Sequence, residues 1–156
     1  MRFLRTTSVL AAALLFWIAS PPPCQATDRC GHTADKLLFR VKSWSDVRKW
    51  FESYADCDDG DLAEGLDDYV TVSLAKHWKD LPKLKRELEK NPRLEPFVLR
   101  HIGSSANADD TEAALRNATH RCPRNLTRLC SSIATAARES LGEGRKHNQA
   151  SPPHSP

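Results

Sequence analysis

Apolar residues recur every three or four positions through much of the chain, which is the spacing of one helix face. The longest such stripe lies between Cys57 and Pro82. It contains Leu62, Leu66, Tyr69, Val70, Leu74, His77, Trp78 and Leu81, with Ser73 on the same face. Asp61 and Glu64 form an acidic capping box at its start, and Pro82 limits its end. The pattern predicts a core helix of about five turns.

Two segments before this stripe also favour helix. Residues 34–38 are mostly good helix formers and favour a short helical turn, with a short extended segment as the alternative. Ser43 and Asp46 form a second capping box. The helix that follows this box has a strongly aromatic face, made of Trp44, Val47, Trp50, Phe51 and Tyr54. So large an apolar face must pack against another element, and the central helix is the nearest partner.

Four further helices are predicted after the stripe. Residues 82–91 and 92–103 each form a short amphipathic segment that begins near a proline. Asp109 with Glu112 predicts the cap of the next helix. Asn125 predicts the cap of the last one, whose apolar face is made of Leu126, Leu129, Cys130, Ile133, Ala134, Ala137 and Leu141.

No segment alternates as a strand would, so we expect an all-α fold of five or six helices, arranged as a small bundle or as stacked helical hairpins. The apolar pattern ends near Leu141. We therefore expect a helical domain over residues 27–141 and a disordered tail over residues 142–156, which has no apolar content to fold around.

The first 26 residues predict an export signal. Arg2 and Arg5 precede an almost wholly apolar run over residues 9–19, which is too short to span a bilayer, and small residues end at Ala26. We expect cleavage after Ala26. A lipid anchor on Cys24, an uncleaved signal anchor and cleavage at Ser20 are the alternatives.

Removal of this signal brings the chain close to neutrality. The whole chain has 23 basic and 20 acidic residues, and the signal contains Arg2 and Arg5 but no acid. A near-neutral exported chain lacks the surplus of cations that non-specific nucleic-acid binding needs. We therefore expect no nucleic-acid partner and, after cleavage, no stable membrane anchor.

Five cysteines become four when Cys24 leaves with the signal, and an even number in an exported chain favours disulfides. Four cysteines allow three pairings. Spacing favours Cys30 with Cys57 and Cys122 with Cys130. None of them form the CxxC spacing of a zinc site, so we expect no metal and no cofactor.

Residues 52–68 contain many acids and no Lys or Arg. They do not form an EF-hand, because a loop starting at Asp56 puts Gly60 at position 5 instead of 6. Basic residues dominate residues 76–100 and 113–138. Such a dipole can steer a charged partner, although blocks of this kind are more often simply the solvated faces of their helices. The predicted binding residues are Asp58, Asp59, Asp61, Glu64, Asp67 and Asp68.

Catalytic chemistry has weaker support, and we assign no catalytic residue. His77 lies on the core stripe, which is typical of a hydrogen-bonded structural histidine. Ser73 near it lacks the strand-turn-helix context of a nucleophile. A hydrolase would require His77 or His101 to meet Asp67 or Asp68 in an open cleft.

Several motifs together resemble a set of short exported bacterial proteins of unknown function. They are WFESYADCDDGDLAEG, HWKDLP, FVLRHI and the terminal RCP with a later Cys, and they cover roughly residues 30–133. The resemblance implies a bacterial periplasm, where the disulfides would form. It assigns no activity to any residue.

The leading hypothesis is a periplasmic or secreted helical protein that binds a macromolecule, as an inhibitor or immunity-type module does. Its acidic residues would mask a basic target, and the expected partner is another envelope or secreted protein. A structural or stress-related envelope protein is the alternative, and a hydrolase that uses His77 or His101 is a weaker one.

Overall fold

A computed structural model describes residues 29–150, without the side chains of Arg29, His32 and residues 144–150. The predicted signal and residues 151–156 of the predicted tail lie outside it. The described chain forms seven α-helices and no strand, which confirms the all-α prediction. They are α1 (Ala34–Leu38), α2 (Trp44–Tyr54), α3 (Gly60–Lys76), α4 (Leu81–Lys90), α5 (Leu94–Arg100), α6 (Ala108–His120) and α7 (Thr127–Ala150). No described helix has the length and apolar character needed to cross a membrane.

Helix α6 lies against both α3 and α7, and these are the most extensive contacts between helices. Helix α2 packs against α4 and α5 on the other side of the molecule. One apolar core joins the two groups. Its largest fully buried side chains include Leu66, Val70, Leu74, Leu84, Phe97 and Ile133.

Helix α3 begins at Gly60 because Asp59 caps it. The side-chain oxygen of Asp59 accepts the Gly60 N–H at 2.8 Å. Gly60 has a φ of +53°, which a residue without a Cβ adopts at little cost. The predicted capping box of Asp61 and Glu64 is therefore wrong. The apolar stripe of this helix is confirmed at Leu62, Leu66, Val70 and Leu74, all of which are buried.

The other end of α3 is set by a distant residue. The helix stops before His77, not at Leu81 as predicted. The side-chain amide of Asn117, in α6, donates hydrogen bonds to the carbonyl oxygens of Leu74 and Ala75, at 3.0 and 2.9 Å. Last-turn carbonyls have no partner within their own helix, so this amide stabilises the end of α3 where it stands.

A single turn then redirects the chain into α4. The residues Trp78–Asp80 form a 3₁₀ turn. The indole N–H of Trp78 donates to the carbonyl oxygen of Arg121 at 2.9 Å. This bond holds the turn against the end of α6 while the rest of the half-buried ring packs on the core.

Two predicted caps had different outcomes. Ser43 caps α2 as predicted, since its hydroxyl accepts the Asp46 N–H at 3.2 Å. At α6, Asn107 is the cap and accepts the Asp109 N–H at 2.8 Å. The predicted box of Asp109 and Glu112 is therefore wrong, because an asparagine two residues earlier already supplies the oxygen.

The last helix also differs from prediction at both ends. A 3₁₀ turn occupies Arg124–Leu126, and α7 begins at Thr127, so Asn125 does not cap it. The backbone of α7 continues to Ala150, past the predicted end at Leu141.

Both predicted disulfides are confirmed. The Cα atoms of Cys30 and Cys57 lie 5.1 Å apart, and those of Cys122 and Cys130 lie 6.0 Å apart. The first bond ties the segment before α1 to the loop before α3. The second braces the turn between α6 and α7.

We expect reduction of the disulfides to lower the melting temperature markedly. Each bond contributes about 2–4 kcal/mol through loop closure, and more for a longer loop. The Cys30–Cys57 bond spans 27 residues and the Cys122–Cys130 bond spans 8, so the double variant C30S/C57S should lose more than C122S/C130S. Calorimetry with and without reductant measures both effects. An unchanged melt after complete reduction would contradict the prediction.

An ion-pair network joins α2 to α4. Arg48 donates to Glu87 at 2.7 Å and to Glu52 at 2.5 Å, and Lys90 donates to Glu87 at 2.7 Å. The hydrogen bonds from Lys90 and Arg48 lower the pKa of the Glu87 carboxyl below its usual 4.5. The carboxylate is almost fully buried, so its two cations are needed to offset the loss of water.

We expect the stability lost in Glu87→Gln to depend on pH. Because folding lowers the pKa of Glu87, the ionised carboxylate makes its full contribution to the free energy of unfolding at pH values above the unfolded pKa near 4.5. This contribution is lost as the pH falls below that value, when the folded carboxyl also takes up a proton. Urea unfolding of both proteins between pH 3 and pH 7 measures this. The control is Glu89→Gln, an exposed carboxyl on the same helix that pairs only with Lys85; a pH-independent loss in Glu87→Gln would contradict the assignment.

Candidate functional site

A buried cluster of charged side chains lies between α3 and α5. Its centre is His101, which follows α5 and is 2% exposed. Its Nδ1 lies 2.6 Å from Oδ1 of Asp67, in α3. Its Nε2 lies 3.2 Å from Oδ1 of Asp58, in the loop before α3. These last two atoms face each other without hydrogen-bond geometry, and neither has another hydrogen-bond partner among the described residues.

The outer oxygens of both carboxylates are also satisfied. The Oδ2 atom of Asp67 accepts the backbone N–H of Ser105 at 3.0 Å and its hydroxyl at 2.7 Å. The Oδ2 atom of Asp58 accepts Nε of Arg100 at 3.0 Å and also its Nη2. The edge of the imidazole meets the Phe97 ring at 4.5 Å between centroids. Asp67 is therefore hydrogen-bonded through both of its oxygens, and Asp58 through Oδ2 alone.

The loop that follows the cluster is held by its backbone. The hydroxyl of Thr71 donates to the carbonyl oxygen of His101 at 3.2 Å and accepts the Gly103 N–H at 2.8 Å. Ser140 donates to the Gly103 carbonyl at 2.7 Å. Gly103 has a φ of +74°, and a Cβ there would lie 2.6 Å from Thr111. Only glycine fits this position without a shift of its neighbours.

This geometry favours a structural role for His101. A general base needs a free ring nitrogen within hydrogen-bond reach of a substrate. Both nitrogens face carboxylates, and both Asp side chains are only 6% exposed. His101 does meet Asp67, as the hydrolase hypothesis requires, but it does so inside the core rather than in an open cleft. The contact joins α3 to the segment after α5.

The prediction that His77 is a buried structural histidine is wrong, because its side chain is exposed. It lines a cleft of about 290 Å³ together with Tyr69, Ser73 and Asp80. Burial raises the pKa of the Tyr69 phenol, and the Lys83 ammonium lowers the pKa of the Asp80 carboxyl. Among the described residues, no carboxylate hydrogen-bonds to the His77 ring. The arrangement lacks the oriented acid–base pair that hydrolysis needs.

The predicted acidic site is divided by the fold. Asp58 and Asp67 are buried in the His101 cluster, so they cannot form part of a contact surface. The other predicted residues are exposed and form no ion pair with a described side chain: Asp59, Asp61, Glu64 and Asp68. Within α3, Asp61, Glu64 and Asp68 are three and four residues apart and share one face.

An open cleft of about 740 Å³ lies next to these carboxylates, beside the Cys30–Cys57 bond. Four aspartates line it: Asp35, Asp56, Asp59 and Asp61. No described Lys or Arg lines it. Asp35 was missed by sequence reasoning because it lies in α1, far along the chain from the acidic run. The pairing of Cys30 with Cys57 was the available signal, since it brings the two segments together.

Carboxylates elsewhere in the molecule are mostly paired. About half of the Lys and Arg in the basic blocks predicted to form the positive end of a dipole pair with an acid, some within one helix and some with an acid from a distant segment. The pairs include Lys76–Asp110, Lys83–Asp80, Lys85–Glu89, Arg100–Asp58, Arg116–Glu112 and Arg128–Glu95. The charge separation in the sequence is therefore reduced in space. Asp59 and Asp61, beside the first disulfide, form no such pair with a described side chain. Neither do basic residues such as Lys79, Arg86 and Arg138.

No three His, Cys, Asp or Glu side chains of the described residues form a group that could hold a metal ion. Comparison with protein-family models, curated proteins and solved structures found no match to this chain.

We expect Asp67→Ala to lower the free energy of unfolding by about 3–5 kcal/mol, because it leaves the His101 ring and the Ser105 N–H without their partner in the core. The control is Asp68→Ala, the exposed neighbour in the same helix, with an expected change within about 0.5 kcal/mol. Urea denaturation measures both. Equal losses in the two variants would mean that the cluster contributes no stability.

Proposed function

We propose that this chain is an exported protein, periplasmic or secreted, that binds a basic macromolecule through its acidic surface. The acidic surface is defined as Asp35, Asp59, Asp61, Glu64 and Asp68. The observation that carries the proposal is that these exposed carboxylates form no ion pair with any described side chain, whereas most acids elsewhere do.

The members of this surface are contiguous. Asp35, Asp59 and Asp61 line one cleft. Asp61 continues along α3 to Glu64 and Asp68 at helical spacing. Like charges held together repel one another, and a partner that supplies cations relieves this repulsion. The surface also attracts a cationic partner from a distance, which raises the association rate.

The elements that carry these carboxylates are held in place before any partner arrives. The Cys30–Cys57 bond ties the segment before α1 to the loop before α3. The contact of Asp67 with His101 holds α3 to the rest of the core. A surface that needs little ordering on binding loses less conformational entropy, which favours affinity.

Compartment supports the same proposal. Two disulfides in a small chain are typical of oxidising compartments, and residues 1–26 have the composition of an export signal. The partner would then be another envelope or secreted protein. A protein that covers a basic site on such a partner would act as an inhibitor or as an immunity-type module.

We expect neutralisation of the acidic surface to remove partner binding. The test variant is D61N/E64Q/D68N, and the matched control is D109N/E139Q/E143Q, which removes the same number of carboxylates from exposed positions elsewhere. Each protein is immobilised and exposed at low salt to the soluble envelope fraction of the host. Native protein and control should retain one stoichiometric basic protein, and the test variant should not.

Binding kinetics with the purified partner then measure how much the acidic surface contributes to the association rate. We expect the association rate of the test variant to fall on the order of tenfold, and that of the native protein to fall as salt rises. Recovery of no stoichiometric partner from several preparations would count strongly against the proposal. A partner retained equally by test and control variants would show that binding does not use the acidic surface.

A further inference from the structure

Two large apolar side chains of the described residues are exposed, and both belong to the segment around α1. Leu37 is 39% exposed and Phe39 is 80% exposed. Single exposed apolar residues are common on protein surfaces. Phe39 is of interest because of its position relative to the acidic surface.

The segment that carries Phe39 is firmly anchored to the core. Ala34 is fully buried, and its carbonyl oxygen accepts the indole N–H of Trp50 at 3.4 Å. Leu38 packs so closely on α3 that a Cβ at Gly65 would lie 2.7 Å from its side chain. The exposed ring therefore projects from a fixed turn, not from a loose end.

The phenyl ring lies on the same side of α1 as the acidic cleft. The N–H of Phe39 donates to the carbonyl oxygen of Asp35 at 3.1 Å, so these residues are one helical turn apart and their side chains are neighbours. Asp35 lines the acidic cleft. Lys36 lies three residues before Phe39 and is the single cation of α1.

Leu37 lies on another side of the same turn. Two residues from Phe39, it is rotated by about 200° around the helix axis. It lines a different cleft, of about 140 Å³, whose charged lining residues are Arg40, Lys49 and Asp46. The two exposed apolar residues therefore lie on different sides of this turn, and only Phe39 is on the side of the acidic cleft.

We propose that Phe39 is the apolar anchor of the acidic surface and that the partner contributes a cationic amphipathic segment whose apolar face covers the ring. This rests on the proposed function. Charge decides the occupant: the five carboxylates of the acidic surface outnumber Lys36 and Arg40, the cations nearest to Phe39 along the chain. The surface therefore attracts a lysine-rich or arginine-rich segment and repels an anionic lipid surface. Aromatic side chains next to charged groups are frequent anchors of protein interfaces.

The test compares two synthetic peptides of equal length and charge. One has lysines and leucines at helical spacing, so that it forms an amphipathic helix, and the other has lysines separated by glycine and serine. Fluorescence anisotropy at low salt gives the Kd of each peptide for the native protein, Phe39→Ser, Leu37→Ser and D61N/E64Q/D68N. Leu37→Ser is the matched control, since it makes the same kind of change on the same turn.

We expect the native protein to bind the amphipathic peptide at least tenfold more tightly than the glycine-serine peptide. Phe39→Ser should remove this preference and leave binding of the glycine-serine peptide unchanged. Leu37→Ser should keep the preference, and D61N/E64Q/D68N should bind both peptides more weakly than the native protein does. Phe39→Ala is measured beside Phe39→Ser, and melting curves establish that each variant is folded.

Failure of the anchor and failure of the proposed function are distinguishable. Equal affinity of the native protein for both peptides overturns the anchor alone. If the native protein binds neither peptide, or if D61N/E64Q/D68N binds them as tightly as the native protein does, the anchor is overturned and the acidic surface is called into question as well. Tighter binding to phosphatidylglycerol vesicles than to the peptide, or a Phe39-dependent dimer in sedimentation, assigns the ring to lipid or to a second copy and overturns the proposal.

Discussion

The pairing of Asp67 with His101 inside the core is the contact on which the arrangement of this protein depends. A buried carboxylate is strongly destabilising unless its oxygens have partners. The carboxylate oxygens of Asp67 have the His101 imidazole and Ser105 as their partners. Both partners belong to the segment after α5. That requirement positions α3 relative to this segment more narrowly than apolar packing does, because hydrogen bonds have a direction and apolar contacts have little.

The same helix uses its acids in two different ways. Asp67 points into the core with Val70 and Leu74, while Asp61, Glu64 and Asp68 lie on the exposed face. The inward carboxylate stabilises the fold. The outward ones form no ion pair with a described side chain, so their charge is not compensated within that part of the chain. Asp58 and Asp59 differ in the same way. Arg100 and His101 hold Asp58 inside, whereas Asp59 is exposed.

The Cys30–Cys57 bond and α1 complete the surface. They bring Asp35 beside the aspartates at the start of α3 and place an exposed phenyl ring one turn away. An acidic surface with a fixed aromatic residue at its edge combines long-range attraction with a short-range apolar contact. In the proposed function, the first would favour encounter with a cationic partner and the second would slow its dissociation.

The sequence by itself determined what depends on neighbours along the chain. The helical spacing of Leu62, Leu66, Val70 and Leu74 and the cap at Ser43 act over one or two turns, so they identified the all-α class and most of the core. The two disulfides were also within reach, because few pairings of four cysteines exist. Tertiary structure decided the rest. The end of α3 depends on an amide from α6, and the division of the acidic run into buried and exposed carboxylates depends on His101 and Arg100, more than thirty residues away. Helical period shows which residues share a face, but it does not show which distant groups will meet that face.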